Sequence, residues 1–153
     1  MKKIIYSPGE PSGIGPDLII KLSSSNLWED LKIPVVSIGD SKLFLDRAAL
    51  LKKKIRIIEL ESLNQVSKNS KGLIQIIKVT KCSNTRPGKL YKSNAQYVLD
   101  NLTYSIEQTM QNEGTALVTG PLSKENIISI DKLFTGHTEY IKKITKSKDV
   151  LMM

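Results

Sequence analysis

The only histidine of the chain, His137, sits in the run Phe134-Thr135-Gly136-His137-Thr138-Glu139-Tyr140. An imidazole there can donate to a phosphate or carry a proton near neutral pH. A lone histidine with no second His or Cys beside it makes a poor zinc site, which needs three or four ligands. The chemistry on offer is therefore contact with a substrate anion, although from spacing alone a structural histidine is the commoner outcome. Lys124, in Thr119-Gly120-Pro121-Leu122-Ser123-Lys124, can neutralise a phosphate or a carboxylate, or be one more surface lysine. The third segment is Pro8-Gly9-Glu10-Pro11-Ser12-Gly13-Ile14-Gly15-Pro16. Its glycines permit close backbone approach, and the helix that follows can receive an anion at its amino end. Gly13-x-Gly15 lacks the third glycine of a dinucleotide fingerprint and no Lys-Ser/Thr of a P-loop follows, so spacing alone favours a rigid turn. Cys82, the single cysteine, lies in a polar stretch with no nearby histidine and reads as an incidental thiol.

These segments need a frame. Lys3 to Ser7 reads as a short buried strand, and Pro16 and Asp17 suit the first turn of a helix whose apolar face is Leu18, Ile19 and Leu22. Pro34 to Ile38 is a second strand, after which Asp40 or Ser41 can cap a helix carrying Leu43, Phe44, Ala48 and Leu51. Ile55 to Glu59 and Leu73 to Val79 are further strands, with Ser62 to Lys71 a polar loop between them. Pro87-Gly88 marks a turn. Ser93 is placed to cap a long helix with Ala95, Val98, Leu99, Leu102, Ile106 and Met110 at helical spacing. Ala116 to Thr119 reads as a short buried strand, and Ser123 to Ile130 and Glu139 to Lys146 as short helices. Strands alternating with helices predict an α/β fold with a mainly parallel sheet. In such sheets ligands lie outside the carboxyl ends of the strands, which is where all three segments fall. The final Val150-Leu151-Met152-Met153, apolar and without a cap, reads as a strand cut in the middle.

Composition narrows the partners. The chain has 153 residues, 40% hydrophobic and 25% charged, as expected of a globular domain. Its net charge of +8 comes almost wholly from lysine, with Arg47, Arg56 and Arg86 the only arginines, and aromatics make up 5%. Without arginine forks or a stacking platform, a nucleic-acid partner is not expected. The charge should instead attract anionic substrates weakly. No apolar run reaches the length of a membrane span, and the amino-terminal apolar stretch is too short for a signal peptide. A cytoplasmic protein with no membrane partner is the expectation.

Ser7 to Asp17 closely resembles the amino-terminal signature of the 4-hydroxythreonine-4-phosphate dehydrogenase family of pyridoxal phosphate biosynthesis. Val118 to Lys124 and Phe134 to Tyr140 resemble two further segments of that family in the same order, and Arg47-Ala48-Ala49-Leu50-Leu51 fits more weakly. The resemblance spans the chain but about the first half of a family member. It implies an isocitrate/isopropylmalate dehydrogenase-like α/β/α sandwich, truncated part-way through, with residues 1–153 as the amino-terminal portion of a two-domain dehydrogenase. It also implies NAD- or NADP-dependent oxidation of 4-phosphooxy-threonine with decarboxylation to 3-amino-2-oxopropyl phosphate. A phosphorylated sugar-acid dehydrogenase of the threonate 4-phosphate type, or a non-catalytic anion-binding remnant, is the alternative. By the resemblance His137 and Thr138 contact substrate, and Lys124 remains a possible anion contact. The divalent metal (Zn, Mg or Co), its three histidine ligands, the phosphate-binding lysine, asparagine and arginine and most nicotinamide contacts belong beyond residue 153. The complete enzyme is expected to be a homodimer, and the fragment alone to be inactive.

Overall fold

The computed structural model describes residues 2–83 and 85–149, so the expected strand at Val150 to Met153 lies outside the described residues. Five strands form one parallel sheet: β1 Lys3–Ser7, β2 Val35–Ile38, β3 Arg56–Glu59, β4 Leu73–Ile77 and β5 Thr115–Thr119, in the order β3-β4-β2-β1-β5. The helices are α1 Gly15–Ser23, α2 Asn26–Asp30, α3 Ser41–Leu50, α4 Ala95–Gln111, α5 Lys124–Ile128 and α6 His137–Thr145.

The strands are runs of β-branched and aromatic residues whose alternate side chains enter two cores, one on each face of the sheet. Tyr6, Val35, Ile74 and Ile76 meet Ile19 and Ile20 of α1, Trp28 of α2, and Phe44 and Ala48 of α3. On the other face Ile5, Val36, Ile38 and Ile77 pack with Leu63 and Val66, against Tyr104 of α4 and Leu117. A sheet covered on both faces by helices is the expected α/β/α sandwich. Ile4 pairs with Val35 on one side and with Ala116 on the other, so β1 is central.

Several local expectations change. The buried face of α1 is Ile19, Ile20 and Ser23, whereas Leu18 and Leu22 are exposed. Ser93 does not cap α4; it lies in a single 3-10 turn, Lys92–Asn94, that leads into the helix with Asn94 at the cap position. Met110 is exposed near the end of α4. The loop from Ser62 to Lys71 contains another 3-10 turn and buries Leu63 and Val66. β5 is not a buried strand. Among the described residues it is an edge, with Ala116 and Val118 exposed, and Val118 borders an apolar groove formed with Ile4, Tyr6, Leu18, Leu22 and Leu31.

Candidate functional site

β1 and β5 are neighbours, yet the chain leaves them toward opposite faces of the sheet. After β1 it enters α1, which packs beside α3. After β5 it runs into α5 and α6, which pack against α4. Such a divergence opens a crevice at the carboxyl ends of the two strands, the usual ligand position in open α/β sheets.

The backbone closes tightly beneath this crevice. Gly120 N donates to Ser7 O (2.7 Å) and Glu10 N to Pro121 O (2.9 Å), joining the loops that follow β1 and β5. The Pro8 carbonyl occupies the space where a Cβ of Gly15 or of Gly120 would lie. Tyr6, whose hydroxyl burial pushes up to about 12, stays protonated and donates to Gly15 O (2.9 Å). These contacts hold the turn from Pro8 to Gly15 in one shape, in line with the rigid-turn reading.

That turn is also gripped from outside. Arg47, 4% exposed, donates from Nη2 to Pro11 O (2.8 Å) and from Nη1 to Gly13 O (2.9 Å) and Asp17 Oδ1 (2.6 Å). Glu10 is buried, accepting from Ser12 N (3.1 Å) and from Asn126 Nδ2 (3.1 Å). Gly88 N donates to Ser12 O (2.9 Å), so the segment ahead of α4 lies over the turn. Asp40 caps α3 through Lys42 N (3.1 Å), accepts from Cys82 N (3.0 Å) and pairs with Lys78 (3.2 Å). Burial alone would raise the Asp40 carboxyl, but these donors and the Lys78 charge bring it below its usual value.

The histidine segment is delivered by aromatic anchors. Phe134 is buried among Leu43, Tyr97, Val98, Leu99 and Ile127, its ring 5.4 Å from that of Tyr140. The Tyr140 hydroxyl shares a hydrogen bond with Thr103 Oγ1 of α4 (2.8 Å). Gly136, at φ 156° and ψ −178°, occupies backbone space open essentially to glycine and starts α6 without a side-chain cap. His137 is the first residue of α6 and bonds to the Gly120 backbone. Burial pulls its imidazole below the ordinary value while that bond to Gly120 resists, leaving it neutral at pH 7. A Cβ built on Gly136 would lie 4.0 Å from Lys124 Cε.

Lys124 thus lies alongside Gly136, the residue that leads into His137 and Thr138, at the β5 end of the crevice. Lys124 is exposed; His137 and Thr138 are half-buried. Among the described residues no group of three His, Cys, Asp or Glu side chains could hold a metal ion, and no helix is long and apolar enough to cross a membrane. Sequence reading passed over Arg47, Glu10 and Asn126 as contributors to this site. A buried arginine is visible only once α3 is placed, and the Glu10–Asn126 pair joins residues 116 positions apart.

The same architecture occurs in known enzymes. The chain superimposes on the 4-hydroxythreonine-4-phosphate dehydrogenase of Klebsiella pneumoniae with a TM-score of 0.85 and 25% identity, covering 97% of this chain and 46% of that one. The Burkholderia phymatum structure of the same name gives 0.86 at 18% identity, a likeness of fold. The fold is therefore that of this class of dehydrogenases. By sequence the chain is 33% identical over 153 residues to the 4-hydroxythreonine-4-phosphate dehydrogenase of Citrobacter koseri, and 35% identical over 151 residues to that of Pseudoalteromonas translucida. It covers 45% and 44% of their lengths, so it spans less than half of the curated relatives it matches. The model of the pyridoxal phosphate biosynthetic protein PdxA matches residues 30–153. The chain belongs to the PdxA family.

Proposed function

We propose that this chain is the amino-terminal portion of a two-domain dehydrogenase that oxidises 4-phosphooxy-threonine, and that its own share of the work is to hold the substrate. The observation that carries the reading is the junction of His137, at the amino end of α6, with Gly120 and Lys124. An uncapped helix amino end beside a lysine favours an anion. A neutral imidazole that donates its one N–H to the Gly120 backbone keeps the other nitrogen as an acceptor for a substrate hydroxyl, leaving the anion to the helix amides and Lys124. Thr138 supplies a second polar side chain next to it.

Nicotinamide and a divalent cation are proposed for the complete enzyme, a homodimer, which would take the hydride and polarise the reacting oxygen. The described residues do not fit a metal site, so no step is assigned to the metal here. Groups outside the described residues are proposed to supply it, and the exposed apolar edge at β5 is where further structure of the enzyme is proposed to pack.

Titrating the isotope-labelled chain with 4-phosphooxy-threonine tests the reading. The amides of His137, Thr138 and Lys124 should shift together, and His137→Ala should weaken binding by about tenfold, the worth of one hydrogen bond between neutral groups. Shifts confined to other surfaces, or full affinity in His137→Ala, would overturn it. Competition with threonate 4-phosphate at equal strength would move the assignment to a sugar-acid substrate.

A further inference from the structure

Asn126 is 3% exposed, and both hydrogens of its amide are committed: Nδ2 donates to Glu10 Oε2 (3.1 Å) and to Tyr91 O (3.0 Å). Glu10 is 4% exposed and forms no ion pair among the described residues; its other oxygen takes the Ser12 amide (3.1 Å). A buried carboxylate answered only by amides is costly unless it holds something in place. What it holds is three segments far apart in sequence: the turn after β1, the segment ahead of α4, and α5. Asn126 N also donates to the capping Ser123 Oγ (3.2 Å), and a shift of α5 would break the Asn126 bonds to Glu10 and Tyr91. Lys124 opens α5, and Gly120, which bonds His137, lies on the loop leading into it.

The geometry points to Glu10 and Asn126 as positioning residues: their bond sets the place of the Lys124 loop, and through Gly120 the place of His137, for binding of the substrate's anionic group. The inference rests on the reading of His137 and Lys124 as substrate contacts. Neither Glu10 nor Asn126 touches the substrate. Breaking their bond lets α5 and the loop from Gly120 to Ser123 drift from the turn, which separates Lys124 from His137 and exposes the imidazole to water. A displacement of about an ångström in a positioned group is enough for a large loss of binding.

The test uses the whole chain with inorganic phosphate as probe, in wild type, Asn126→Ala, Glu10→Gln and the double variant. Two quantities are read by NMR: phosphate affinity at the His137 and Thr138 amides, and the titration of the His137 imidazole without phosphate. Each single variant should weaken phosphate binding by about tenfold, as supporting contacts typically do. Each should also move the His137 titration upward toward its ordinary value. The double variant should be no worse than the worse single, because both ends belong to one bond. Unchanged spectra for residues of β2 and β4 certify the fold; a variant that loses them is replaced by Asn126→Ser, which keeps a shorter polar side chain. Affinity and titration both within twofold of wild type would overturn the inference and leave the substrate reading standing. Should wild type bind no phosphate, the reading of Lys124 as an anion contact falls, and the His137 titration alone decides whether the pair sets that residue's position.

Discussion

Replacing Arg47 with alanine should cost this chain about 3 kcal/mol of folding stability. The guanidinium is 4% exposed and makes three short contacts, to Pro11 O at 2.8 Å, Gly13 O at 2.9 Å and Asp17 Oδ1 at 2.6 Å. Removing one member of a buried, hydrogen-bonded ion pair costs about 3–5 kcal/mol, because its partners are left unanswered. The Asp17 side chain is 21% exposed and can regain water, which places the loss at the lower end. With an m-value of about 2 kcal/mol per molar urea, the unfolding midpoint should fall by about 1.5 M at unchanged m. Arg47→Lys separates charge from shape. An ammonium can keep Asp17 but cannot fork to both carbonyls, so a loss of about 2 kcal/mol is expected. If Arg47→Ala stays within 1 kcal/mol of wild type, or Arg47→Lys matches it, the guanidinium fork does not hold the turn and the reasoning fails.

Three further outcomes are expected. Asp40→Ala should cost about 2–3 kcal/mol by thermal or urea melting, from the lost α3 cap and the bond to Cys82 N. Because the folded Asp40 carboxyl lies below its unfolded value, its contribution is full above the unfolded pKa of 3.8 and disappears as pH falls through the folded one; an acid transition identical in wild type and Asp40→Ala would contradict this. The Cys82 thiol, pushed up to about 12 by burial and by the nearby Asp40 and Glu10 carboxylates, should react with iodoacetamide at pH 8 far more slowly than free cysteine; labelling at the free rate would refute its burial. The chain should self-associate through the apolar groove beside β5, and Val118→Asp should reduce light scattering; a monodisperse wild type would count against that surface.

Much of the frame could be read from residue order. β1 reads residue for residue because a strand covered on both faces leaves a short apolar run bounded by turn residues, and α4 because a long amphipathic helix leaves a helical apolar spacing. The misjudged positions have a common cause. Leu18 and Leu22 carry the right spacing for burial, but α1 turns Ile19 and Ile20 to the sheet, and nothing local separates a core face from an apolar face left open. β5 reads as buried because all of its residues suit an interior; its edge position among the described residues depends on which strand is its neighbour, a property of topology. Lys124 lies just past a strand, β5, whereas the His137 segment, read as following a strand, follows α5; the bond from His137 to Gly120 and the Glu10–Asn126 latch arise between distant segments. Ser93 is a sound cap by type, and the 3-10 turn moves the helix start one residue on, from Asn94 to Ala95.

The Pro8 carbonyl bears on how freely this sequence can drift. It fills the space of a Cβ at both Gly15 and Gly120, although neither glycine has the left-handed φ that usually explains an irreplaceable one. Because the obstacle is main chain, no shrinking of a neighbouring side chain relieves it, and a second-site suppressor at one glycine cannot rescue an alanine at the other. In a saturation library both codons should accept glycine almost alone, as one constraint written at two places in the gene.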